Sequence, residues 1–169
     1  MIVRAAKVLL PLLAGVFFLL VGIDNIIDYD TNFEFVRHVL SMDTTFPGNK
    51  LMWRAITSEW VHHLAYAAII AAELVTGVLC LAGAWRLFQA REAPAQQFNT
   101  AKHVAVAGLA AGFALYFFGF LVVGGEWFQM WQSQTWNGQE AAFRFAACLG
   151  LMLIFVSLKD DDIGYGKHR

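Results

Sequence analysis

Apolar residues fall into four long runs separated by polar stretches. A membrane-spanning helix needs about 20 mostly apolar residues, and the runs over about 8–27, 63–85, 104–123 and 141–158 meet that length. The first turns polar at Asp24 and Asn25, the second contains one acid, Glu73, the third has no charge, and the fourth carries Arg144 in its first turn. The connection over 28–59 is too long for a plain turn. Thr31 followed by Glu34 has the form of a capping box, and Phe33, Val36 and Leu40 recur at helical spacing, so a short amphipathic helix is expected there. Phe46-Pro47-Gly48 breaks it, a second short helix is expected over about 50–56, and Ser58 is placed to cap the second span. In the connection over 124–140, Trp127, Met130 and Trp131 predict another short helix, closed by an Asn137-Gly138 turn. The loop over 86–102 is polar, and the tail from Lys159 reads as solvated.

Composition narrows the class. The 169 residues are 59% hydrophobic and 15% charged, against about 45–50% and about 25% in soluble domains. An ordinary soluble enzyme is thereby disfavoured. Formal charge is −1, so no basic excess exists to hold nucleic acid. Cys80 and Cys148 both sit in apolar runs and imply no disulfide framework. Arg4 and Lys7 before the first run read as the basic region of a signal anchor, since no small-residue cleavage pattern follows.

Basic residues set the orientation. With the N-terminus inside, Arg4, Lys7, Arg86, Arg91, Lys102, Lys159, Lys167 and Arg169 are inner, and Arg37, Lys50, Arg54 and Arg144 are outer. Trp53, Trp60, Trp127, Trp131 and Trp136 fall on the outer side and only Trp85 on the inner. Both termini are therefore expected in the cytoplasm.

The blocks Phe35-Val-Arg-His-Val-Leu-Ser-Met-Asp-Thr44, Leu51-Met-Trp-Arg-Ala-Ile56, Trp127-Phe-Gln-Met-Trp-Gln-Ser133 and Trp136-Asn-Gly-Gln139 carry a family resemblance. The chain resembles the bacterial domain-of-unknown-function family labelled predicted small integral membrane protein, over nearly its whole length. The resemblance implies four helices and a bacterial inner membrane, and it implies no reaction. The expected fold class is thus all-α integral membrane: one four-helix transmembrane domain over 1–169, with short amphipathic helices in two periplasmic loops.

Glu73 is the strongest single chemical signal. It lies about 15 Å below the outer end of its span, near the midplane, where a carboxylate is costly. It reads either as a proton site or ligand anchor, or as a protonated, hydrogen-bonded packing residue paired with Tyr116. His38, Glu59, His62 and His63 form a candidate periplasmic polar cluster. Adjacent helical histidines diverge by about 100°, however, and no ligand spacing is present, so no metal site is expected. No span carries a histidine near its middle, which argues against a haem with two transmembrane His ligands, and no cofactor is expected. Arg144 is expected to pair with Asp24 and Asp28 at the same depth. Gly108 and Gly112 form a GxxxG pattern suited to close helix packing. Phosphate-loop, nucleophile-elbow and His-Glu-x-x-His motifs are absent, so no catalytic residue is assigned.

Three functional readings follow. The first is a non-enzymatic accessory or scaffold subunit, binding a protein partner or a second copy through Trp127, Met130, Trp131 and Trp136 and through small-residue helix faces, with membrane lipid around it and no nucleic acid. The second is a proton-linked or small-solute pathway centred on Glu73. The third is a membrane enzyme or quinone site at the periplasmic surface.

Overall fold

The computed structural model describes residues 1–162. Helices α1 (Ile2–Ile27), α2 (Tyr29–Ser41), α3 (Glu59–Gln89), α4 (Ala95–Ala101), α5 (His103–Ala114) and α6 (Gln139–Ser157) follow one another, with no strand among the described residues. α5 continues directly into a π-helical segment, Leu115–Trp127. Four stretches are long and apolar enough to cross a membrane: Ile2–Ile27, Glu59–Gln89, Ala95–Trp127 and Gln139–Ser157. Each begins at or before its expected start, because the polar residues flanking an apolar run also adopt helix.

The bundle follows from buried stripes at helical spacing. On α1 the stripe is Arg4, Lys7, Pro11, Ala14, Phe18, Gly22 and Asn25; on α3 it includes His62, Tyr66, Ile70, Glu73, Gly77, Cys80, Ala84 and Leu87. Leu81 seats over Gly15, Leu74 over Gly22 and Leu19 over Gly77, so the two backbones approach through leucine knobs placed on glycines. Gly83 lies against the Ala105 backbone of α5, Gly108 against Cys80, and Gly112 against Phe18 and Thr76. The GxxxG face is thereby used inside the bundle. Leu9, Leu13, Val16 and Leu20 on α1 and Phe143, Leu151 and Ile154 on α6 point outward, as lipid-facing residues must.

One end carries a cap built from α2 and the two long connections. Val39, Met42, Phe128 and Met130 form its small core. Thr44 Oγ1 donates to Ser133 Oγ at 2.8 Å, and the Phe46 amide donates to Gln132 Oε1 at 2.9 Å. The local chemistry differs from expectation in two places. α2 begins at Tyr29 with no side-chain cap, so Thr31 lies inside the helix and not at its N-cap, and Glu34 pairs with Arg37 at 2.5 Å. The helices expected over 50–56 and after Trp127 are only 3-10 turns, Met52–Arg54 and Met130–Gln132. Gln129, at φ 53°, separates the second turn from the π segment.

The opposite end is closed by a buried charge cluster. Arg4 and Lys7 lie within α1, 3% and 2% exposed. Lys7 Nζ and Lys102 Nζ both meet Asp160 Oδ2, at 2.6 Å and 2.5 Å, and both also donate to Leu158 O. Arg4 donates to the carbonyls of Arg91, Ala93 and Asp161 and lies 4.6 Å over the Phe98 ring. Of the described tail residues, Asp160 is buried because its carboxylate answers two buried lysines, while Lys159, Asp161 and Asp162 are exposed. The rest of the tail lies outside the described residues.

Candidate functional site

Glu73 sits about 21 Å from the start of α3, near its middle. The α3 stripe turns it inward beside Tyr66, and the α1 stripe brings Asn25 opposite. Asn25 Nδ2 donates to Glu73 Oε2 at 2.8 Å, and Asn32 Nδ2 on α2 donates to Asn25 Oδ1 at 2.7 Å. Tyr66 Oη fixes the same turn of α1 by donating to the Asn25 carbonyl at 3.2 Å. A chain of amides thus runs from the exposed Asn32 to a carboxyl that is 3% exposed. No hydrogen bond to Oε1 forms among the described residues.

These groups line a cavity of about 190 Å³ between α1, α2, α3, the π segment and the start of α6. Its polar wall is Asn25, Asn32, Glu73 and the tyrosines Tyr66 and Tyr116; its apolar wall includes Phe35, Phe120 and Phe145. Tyr116 packs at a tilt against Phe145 at 4.9 Å and Phe120 at 5.6 Å, so its ring is held in place. Among the described residues lining the cavity there is no Lys, Arg or His. A second cavity of about 320 Å³ lies under the cap, walled almost entirely by carbon from α2, α3 and the π segment. The two share Phe35, Val36, Ile69 and Phe120. π-Helical turns are rare and concentrate at functional sites, and here the π segment contributes to both cavities.

The other predicted positions scatter. Glu73 and Tyr116 line one cavity, but the hydrogen-bond partner of Glu73 is Asn25. Arg144 reaches Glu140 one turn away at 3.4 Å and is 67% exposed. Its expected pairing with Asp24 and Asp28 does not form among the described residues. The buried face of α6 runs through Ala142, Ala146 and Leu149, and Arg144 projects from nearly the opposite side.

The four candidates of the polar cluster do not converge. His38 Nδ1 lies 2.9 Å from Asp43 and its ring stacks on Trp136 at 4.5 Å. His62 Nε2 binds the Ile56 carbonyl at 2.7 Å. His63 Nδ1 meets the Tyr29 hydroxyl at 2.8 Å and stacks on Phe33, while Glu59 is 4.0 Å from its other nitrogen. No group of three metal-ligating side chains occurs among the described residues. In the cap, Met130 is buried, Trp136 packs on His38, and Trp127 and Trp131 remain exposed.

Sequence reasoning passed over Asn32 and undervalued Asn25. Asn25 had a readable signal, since it continues the α1 stripe at i+3 from Gly22, but Asn32 depends on how α2 folds back. Comparison with curated proteins and with solved structures found no match. A family model described as predicted small integral membrane protein (DUF2165) matches residues 3–159. A match over nearly all of the chain shows that this integral membrane protein belongs to that family.

Proposed function

We propose that the protein holds a small molecule within the membrane, in the cavity centred on Glu73, and that it lies in the bacterial inner membrane with both termini in the cytoplasm. The observation that carries the reading is a buried carboxyl, fixed by Asn25, that lines a cavity and keeps one oxygen unengaged. A midplane carboxyl used only for packing would have its polar atoms filled by neighbours, since unsatisfied groups there are costly.

Binding is favoured over conduction by what lies beyond the cavity. Toward the terminal end the core is Phe18, Cys80, Ala105 and Leu109, all 0% exposed. With the Thr76 hydroxyl and the Cys80 thiol as its polar groups, this plug holds no carboxyl, His or Lys to take up a proton leaving Glu73. A scaffold role retains only the exposed Trp127 and Trp131, because the small-residue helix faces are spent within the bundle. The test is native mass spectrometry of protein purified from its own membrane. Wild type should carry a discrete small-molecule adduct. Ala142→Phe, which fills the cavity wall, should not. Identical spectra, with no adduct in wild type, would overturn the reading.

A further inference from the structure

We infer that the ligand of this cavity is a lipophilic organic ammonium, its charged head at Glu73 and its hydrocarbon chain in the chamber under the cap. The inference rests on the proposed ligand site and adds the chemistry of the occupant.

The head assignment comes from what surrounds Glu73. The cavity wall combines one carboxyl with the rings of Tyr66, Tyr116, Phe35, Phe120 and Phe145. Aromatic faces with a nearby carboxylate are the arrangement that recognises ammonium groups, through the ring quadrupole and the opposite charge together. No basic side chain among the described lining residues neutralises Glu73, so a bound cation supplies the missing counter-charge. An anionic or phosphate head would meet the Glu73 carboxylate, with no Lys, Arg or His among the described lining residues to answer its charge.

The tail assignment comes from the second chamber. It shares the side chains of Phe35, Val36, Ile69 and Phe120 with the head cavity. The Phe35 and Phe120 rings lie 6.3 Å apart on this shared wall, and the chain of the ligand would pass between them. The chamber's nearly all-carbon lining suits an alkyl or aryl chain and offers nothing to a second polar group. Gly119 and Gly124 on the π segment leave room there, since an added Cβ on Gly119 would meet no atom nearer than 3.8 Å.

The experiment is calorimetric titration of the protein in lipid nanodiscs, with empty nanodiscs subtracted. The probes are octyltrimethylammonium, tetramethylammonium, octanol and octyl sulfate. Octyltrimethylammonium should bind saturably, one per chain, with octanol and tetramethylammonium each at least about tenfold weaker and octyl sulfate silent. Glu73→Gln should weaken octyltrimethylammonium by about tenfold or more, and Gly119→Phe should remove the advantage of the octyl chain while leaving tetramethylammonium unchanged. Octanol binding as tightly as the ammonium would overturn the head assignment and leave the cavity as a site for neutral molecules. Equal affinity for tetramethylammonium and octyltrimethylammonium would overturn the chamber assignment. If no probe binds while wild type still carries its adduct, the ammonium class is wrong and the site stands; if the adduct is also missing, both fall. These comparisons among probes need only the wild-type chain.

Discussion

Lys7 donates to Asp160 Oδ2 across 2.6 Å although the two residues are 153 positions apart. The contact ties the first turns of α1 to the segment after α6, and Lys102 shares the same oxygen. Burial alone would push the Asp160 carboxyl up, but the hydrogen bonds from Lys102 and Lys7 outweigh it and hold the group below the usual carboxylate range. A depressed carboxylate stabilises the fold above its unfolded pKa and loses that contribution as pH falls through the folded one. Asp160→Asn should therefore destabilise the protein at neutral pH by about 3–5 kcal/mol, the scale for leaving buried charge unpaired. Thermal melts in detergent should show the gap between variant and wild type narrowing below about pH 4. A gap that stays constant down to pH 3 would show that the carboxylate charge is not what matters.

The approach of α3 and α5 leads to a different expectation. A Cβ on Gly83 would fall inside the Ala105 backbone, whereas one on Gly119 would meet only Leu115 Cδ1 at 3.8 Å. Gly83→Leu should cost at least the roughly 1–3 kcal/mol of ordinary overpacking and yield aggregated material on size exclusion. Gly119→Ala should elute and melt like wild type. Equal behaviour of the two variants would mean that α3 and α5 do not pack through Gly83.

Much of the bundle was legible because lipid imposes a simple rule: apolar runs of sufficient length become helices. The charge cluster was not legible for the same reason, since Arg4, Lys7 and Asp160 look like flanking charge in any linear reading. Their burial depends on three distant segments meeting at one end. Glu73 could be singled out because a midplane acid is expensive wherever it points. Its partner could not be read so directly, since Asn25 faces it only through the pairing of the α1 and α3 stripes. Arg144 was misassigned because equal depth on two helices says nothing of azimuth. The π geometry after Ala114 has no sequence signature strong enough to have announced it.

Orientation follows from basic residues, and Arg4, Lys7 and Lys102 gathered at the terminal end argue for the cytoplasmic side. Phe46 in the cap and Gln96 on α4 are both exposed and lie at opposite ends. In a Cys148→Ser background, Phe46→Cys should react with an impermeant maleimide in intact spheroplasts, and Gln96→Cys only after permeabilisation. The reverse pattern would invert the protein in the membrane.

The Asn25–Glu73 hydrogen bond can be examined without any ligand. Asn25→Leu leaves Glu73 Oε2 without its donor, and Glu73→Leu leaves Asn25 Nδ2 without its acceptor, both on buried residues. Each single variant should cost about 1–3 kcal/mol, the penalty for an orphaned buried polar group. The double variant removes both partners and substitutes apolar side chains of similar size, so it should cost less than the sum of the singles. The coupling should be about 1 kcal/mol or more. Asn32 does not upset the cycle, because it is exposed and its amide can turn to water. Reversible unfolding of the four proteins in mixed micelles measures the coupling directly. Strictly additive effects would show that the 2.8 Å contact contributes nothing to the fold, and that Glu73 is held in the cavity by backbone placement alone.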